Sequence, residues 1–260
     1  MNQNLHRFAI LVALGSLLLI ASGAIVSTLA PADTSYQPLH KMFAIVMSVL
    51  GLGLAIWLLA ARSLWLGGAI LLVEGLTGML GSGASTPDRG TLHATLAQAF
   101  FALTWAAVVV TSRGWEEKKE PVPDQGWPSL RSLAVVMPVF VLIQVGLGAA
   151  FRHKAMGVMP HLVGAMIVAL LILCNCLFVS QPYPKHPTLR PAANLLLAIT
   201  CTQVFLGIAV LTVLLINTAT QTVLLLSTAG HVSVGAMTLA ATLGLSLQIR
   251  HNVFPKPEEE

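Results

Sequence analysis

Apolar and polar positions are sorted along this chain into long blocks rather than short periods. Apolar runs cover roughly 8–29, 41–61, 64–83, 93–112, 131–151, 161–180, 192–216 and 227–249, each bounded by a short polar stretch. About twenty helical residues cross the roughly 30 Å hydrocarbon core of a bilayer. Backbone groups in lipid must pair internally, and the runs lack the alternation of barrel strands, so each run predicts a spanning helix. The first run follows "MNQNLHR" and precedes the cleavage-like "APA" of Ala30 to Ala32, but it is longer than a typical apolar signal core and reads as a helix. The longest polar interruption, "RGWEEKKEPVPDQGWP" from Arg113 to Pro128, splits the runs four and four. The expected fold is all-α: an integral membrane protein whose eight transmembrane helices form two tandem four-helix bundles, with an N-terminal half over 1–112, a cytoplasmic linker over 113–130 and a C-terminal half over 131–260.

Composition supports a lipid solvent, with 56% hydrophobic and only 9% charged residues where soluble domains carry about a quarter charged. Ten of the 14 Lys and Arg, Arg7, Arg62, Arg113, Lys118, Lys119, Arg131, Lys185, Arg190, Arg250 and Lys256, fall on one side of the predicted spans. Lys41, Arg89, Arg152 and Lys154 fall on the other, so both termini are expected in the cytoplasm of a bacterial-type inner membrane. Trp57, Trp65, Trp105, Trp115 and Trp127 lie near the same cytoplasmic boundary, where amphipathic rings settle. The net charge of +4 is thus a topology signal and implies no nucleic-acid partner.

The even-numbered spans open alike: "LHKMFA", "LHATLA", "PHLVGA" and "GHVSVGA" place His40, His93, His161 and His231 near the outer face. Four residues on, along the same helix face, stand Ala44, Ala97, Ala165 and Gly235. The odd spans carry a second repeat, Q/E-x-x-x-G, in "QVGLGAAFR" (Gln144, Gly148), "QVFLGIAV" (Gln203, Gly207) and "EGLTGMLG" (Glu74, Gly78), while the first span offers Gly23 without a polar partner. The halves read as duplicates, each bringing two histidines to one bundle.

Two imidazoles from facing helices, small residues beside them and apolar walls suit a haem, whose iron takes imidazole as an axial ligand. Capping of helix starts and hydrogen bonding across helices are the plainer readings of the same histidines. Zinc fits less well, because no Asp, Glu or Cys joins the histidines at the usual spacings. Cys174, Cys176 and Cys201 read as small apolar fillers. Glu74, inside the third span, is a proton-handling or haem-pocket group or a protonated acid hydrogen-bonded between helices. Arg152 reads as a cation for haem propionates or a snorkelling anchor, with Lys41 and Arg89 in the same role for the N-terminal half. His6, His186 and His251 fall on the cytoplasmic side without evident partners and are expected to be solvated.

Eight spans, the four-plus-four repeat, a histidine opening each even span and "LGAAFRHKAMGVMPHLVGA" between spans five and six resemble the haem A synthase family over essentially the whole chain. The resemblance implies a haem b held by His161 and His231, with Arg152, Gly148 and Gly235 around it. It implies a haem O substrate, or a second haem b, held by His40 and His93, and oxidation of a haem methyl group to a formyl group for terminal oxidases. A respiratory oxidase and a haem O synthase are the partners it implies. The family's E-x-x-H-R at the second span is "QPLHK" here: Gln37 stands in place of the acid and Lys41 in place of the arginine, and the first outer loop lacks the cysteine pair of many relatives. An amide cannot carry a proton as a carboxyl group can. A non-catalytic di-haem electron carrier or subunit of a respiratory complex therefore stands beside the enzyme reading, with Gln37 and Glu74 as its candidate catalytic positions.

Overall fold

The structure, a computed structural model, describes residues 2–29, 34–82, 86–117, 122–124, 127–216 and 220–255. Ala30 to Ala32 of the cleavage-like stretch, and Lys118, Lys119 and Lys256 of the charge count, lie outside the described residues. The chain is a multi-pass all-α membrane protein: among the described residues eight helices are long and apolar enough to cross a bilayer. They are α1 (Gln3–Leu29), α2 (Gln37–Ala60), α3 (Leu64–Gly81), α4 (Pro87–Val110), α6 (Leu130–Arg152), α7 (Met159–Ser180), α8 (Leu189–Ile216) and α9 (Gln221–Asn252). A short α5 (Arg113–Glu116) follows α4, and two two-residue strands, β1 (Val122–Pro123) and β2 (Val253–Phe254), complete the elements.

Several helices run past their apolar runs because polar residues start them. Thr86 accepts from the Arg89 amide at 3.4 Å and Pro87 follows it, so α4 begins six residues before the predicted 93. Thr220 accepts from the Val223 amide at 3.4 Å and likewise adds nearly two turns to α9. Side-chain oxygens at such positions satisfy amides that the helix itself leaves unpaired, and proline in the first turn lacks the amide that would need pairing. His93 and His231 consequently sit nearly two and nearly three turns inside their helices, not at the openings, whereas His40 and His161 lie in the first turn of theirs.

Contacts between helices close two rings, α1–α2–α3–α4 and α6–α7–α8–α9, which are joined where α4 meets α6 and α9 and where α1 meets α9. The linker face gathers the N-terminus, α5 and the C-terminal tail. There β1 pairs in parallel with β2, the Asp124 carboxylate accepts from the Ser129 hydroxyl (2.7 Å) and from the amides of Leu130 and Arg131 (3.2 Å each), and Arg131 Nη1 donates to the Val253 carbonyl at 2.5 Å. A carboxylate at a helix N-terminus complements its dipole, so this latch also starts α6.

The three histidines expected on the cytoplasmic side are partnered rather than simply solvated. His6 Nδ1 lies 3.1 Å from Thr111 Oγ1, His186 Nδ1 accepts from the Leu189 amide at 3.2 Å, and His251 stacks on Trp115 with ring centres 4.1 Å apart. The polar loops fold back onto helix ends, which spacing along the chain does not reveal. Cys176 fills the core as expected and its thiol reaches the Ala193 carbonyl at 3.4 Å, whereas Cys201 faces outward and fills nothing.

Packing is graded along the bundle axis. The largest fully buried side chains, including Leu54, Leu58, Ile70, Met137, Ile172, Leu196 and Leu245, all lie on the linker side of the histidine level. The central helix α9 displays the gradient best: residues 236–246 are nearly all buried, yet 227–235 around His231 are only half-buried although α1, α4, α6 and α8 surround this helix. Small and polar side chains around the histidines leave room that large aliphatic ones fill below.

Candidate functional site in the paired histidines

Each of the four histidines rests on a glycine of the preceding helix. A Cβ at Gly23 would lie 3.1 Å from His40 Cε1, at Gly81 2.8 Å from His93 Cε1, at Gly148 2.9 Å from His161 Cε1, and at Gly207 3.1 Å from His231 Cε1. Any larger residue would push the imidazole away, which is the physical content of the repeat. The sequence repeat located three of these seats and misplaced one. Nothing lies within 4 Å of a Cβ at Gly78, so the seat in α3 is Gly81, one helical turn further on. Glu74 therefore does not correspond to Gln144 and Gln203; the residue four before Gly81 is Thr77.

In the N-terminal half the ring tautomers follow from the hydrogen bonds. The Thr77 carbonyl can only accept, so His93 donates to it through Nδ1–H at 3.0 Å. The Ser22 hydroxyl donates to the Leu19 carbonyl at 2.8 Å, so its oxygen receives the proton of His40 Nδ1, also at 2.8 Å. Both rings keep a lone pair on Nε2, the arrangement of metal-ligating histidines whose second nitrogen is anchored.

In the C-terminal half, glutamines replace these anchors. Gln144 Nε2 donates to the His161 carbonyl at 2.9 Å and lies 2.9 Å from His161 Nδ1, with its amide packed on Gly164. Ligation through His161 Nε2 requires the proton on Nδ1, and hence the Gln144 oxygen turned toward it. Gln203 Nε2 is 3.5 Å from His231 Nε2 and packs on Gly235, where Gln98 of α4 also approaches. Gly235 thus seats an amide instead of clearing space directly beneath an imidazole. His231 Nδ1 and Gln203 Oε1 are buried without a hydrogen-bond partner. An unpaired buried polar atom costs about 1–3 kcal/mol, which a further ligand would offset.

The rings of His161 and His231 face each other across the bundle, 6.2 Å between centres and 87° between planes. A spacing of that size would leave room for one metal ion between the two rings. Among the described residues no three His, Cys, Asp or Glu side chains converge on a point. A metal held by either pair would have to take its other ligands from elsewhere.

The rim on the histidine side ties the halves together. Arg152 Nη2 donates to the Ala24 carbonyl, to Ser27 Oγ and, at 3.2 Å, to Thr28 Oγ1, so this cation from α6 caps the C-terminal end of α1. The residue expected to meet propionates is thus engaged on the protein, with Nε buried and unpaired. His153, to which the sequence assigns no role, packs on Gly90 of α4, where a Cβ would lie 2.9 Å from its Cε1. Burial first, then Arg152 and His93, hold its pKa below the ordinary 6.5. Only the pairing of Gly90 with a histidine in the other half betrays it, and that pairing is invisible along the chain. Gln37 occupies the first residue of α2, three before His40, and its amide donates to the Thr34 carbonyl at 3.0 Å. Beside His40 a largely apolar groove of about 480 Å³ runs between α1 and α2, lined by Ser22, Val26, Tyr36, Leu39 and Phe43. No family model matches the chain, and no curated protein is significantly similar to it.

Proposed function

We propose that this chain is a membrane haem protein with a resident haem b between His161 and His231 and a second haem between His40 and His93. Its activity on this reading is that of a haem A synthase, the oxidation of a haem O methyl group to a formyl group for terminal oxidase assembly. The observation that carries the haem reading is the fourfold seating of a histidine on a glycine, two per bundle, above a floor of fully buried side chains. A bound haem would supply an iron through which electrons enter and leave. The protein's part is positional. Ser22 and the Thr77 carbonyl keep Nε2 of His40 and His93 free for a metal, and the four glycines allow the rings to lie flat against helix backbone. The floor keeps water from reaching the pockets from the linker side, and Arg152 fastens α1 to α6 at the rim. The apolar groove beside His40 fits a long hydrocarbon substituent. The charge bias of the loops puts the termini in the cytoplasm and the histidines near the outer face of a bacterial-type inner membrane, and a haem O synthase or the recipient oxidase would be the partner there.

Gln37 supports a second reading, a di-haem b electron carrier or respiratory subunit, because an amide one turn before His40 exchanges no proton. Co-expression with a haem O synthase, followed by haem extraction and mass analysis, separates the two. Haem A or a hydroxylated intermediate is expected for the enzyme; haem b alone, at two per chain, assigns the chain to electron transfer; no haem at all removes both.

A further inference from the structure

The repeat that seats the histidines also exposes an acid for which the haem sites themselves have no use. Seven residues before each seat glycine, on the same helix face, stand Ser16, Glu74, Val141 and Thr200. Three are buried and self-sufficient: Ser16 and Thr200 donate to their own helix at 2.7 and 2.8 Å, and Val141 is apolar. Eleven residues after each histidine stand Gly51, Thr104, Ile172 and Thr242, all buried. The N-terminal bundle has thus exchanged a small residue for Glu74 on α3 and a larger one for Gly51 on α2. The exchange is complementary. A Cβ at Gly51 would lie 2.8 Å from Glu74 Oε2, 3.0 Å from Oε1 and 2.8 Å from Phe100 Cζ. The carboxyl group lies against bare backbone, beside an aromatic ring that stands seven residues past His93 on the same face of α4.

Glu74 is the eleventh of 18 residues in α3, near mid-membrane. Its Oε2 is buried without a hydrogen-bond partner. The basic residues of the surrounding helices, Arg7, Lys41 and Arg89, lie at helix ends, and Asp88, the other acid of this bundle among the described residues, is in the first turn of α4. An ionised carboxylate without a partner in such surroundings is far more costly than a neutral acid.

We propose that Glu74 is a proton-binding site of the N-terminal bundle: a neutral carboxylic acid in a space made by Gly51, with its proton available to the pocket between His40 and His93. Seven helical residues, about 10 Å, separate it from Gly81, so it forms the pocket's floor. The link to the pocket rests on the haem reading above; the protonated acid does not.

Infrared spectroscopy of the purified full-length protein in lipid at neutral pH reads the acid with or without haem. A protonated-carboxyl carbonyl band is expected that shifts in D₂O and is lost in Glu74→Gln. It is also lost in Glu74→Thr, which places at this position of α3 the residue that α8 carries as Thr200. No such band, or an unchanged band in both variants, overturns the proposal; a band that never shifts in D₂O overturns the availability of its proton. Haemin should perturb the band, and His40→Ala should remove that perturbation. A band indifferent to bound haemin would sever Glu74 from the pocket while leaving both the acid and the haem sites standing.

Discussion

At the scale of single residues the controlling contact is an imidazole on a glycine. It distinguishes two neighbouring glycines that look equivalent in the sequence. Gly81→Val should dislodge His93 and abolish haem binding to the N-terminal half, whereas Gly78→Ala, at a position open to its surroundings, should change stability by less than about 0.5 kcal/mol and leave the absorption spectrum intact. Equal effects in the two variants would refute the register assigned to α3. Gln144→Glu should place a carboxylate against His161 Nδ1–H and make that imidazole a stronger donor, lowering the midpoint potential of the C-terminal haem in a redox titration; an unchanged potential would show that Gln144 does not orient the ring. His153 makes a pH prediction. Its folded pKa lies below the unfolded 6.5, so below that pH the unfolded chain binds a proton that the folded chain resists, and stability falls as the solution is acidified. Thermal unfolding of His153→Gln should lose part of that acid-side decline, and a slope identical to that of the parent would contradict the assignment.

At the scale of helices, the eight spans were legible because lipid forces helical length and apolar composition together, and the duplication was legible because four histidines recur in register. Helix starts were less so: Thr86 and Thr220 cap polar turns that a hydropathy reading assigns to loops, and this is why His93 and His231 lie deeper in their helices than expected. The seat in α3 was misread because EGLTG and GMLG offer two glycines three residues apart, and only the packing of α4 chooses between them. The role of Arg152 was hidden for a different reason. Its partners lie 124 to 128 residues away in sequence at the end of α1, and no local pattern announces a contact of that range. Arg152→Leu should therefore loosen the junction of the halves even without haem. Hydrogen bonds to a charged group contribute about 1.5–3 kcal/mol each, so a fall in thermal midpoint measured on haem-free protein is expected, and no fall would mean that the contacts with α1 contribute nothing.

At the scale of the whole molecule, two bundles share one plan: a tightly filled floor toward the linker face and a looser opposite half that carries the histidines. The linker face is stitched by β1, β2 and Asp124, and the opposite face by Arg152 and His153, so the halves are joined at both ends of their axis. The N-terminal half differs in holding Glu74 over Gly51 where its counterpart holds Thr200 and Ile172, a chemical asymmetry within a shared architecture. On the proposed reading each half holds one haem between its two histidines. Haem per chain, measured by pyridine haemochrome against amino-acid analysis on the purified protein and on its His40→Ala and His231→Ala variants, tests this most directly. Two haems are expected in the parent chain and one in each variant; a parent chain without haem, or variants that retain both, would refute this reading.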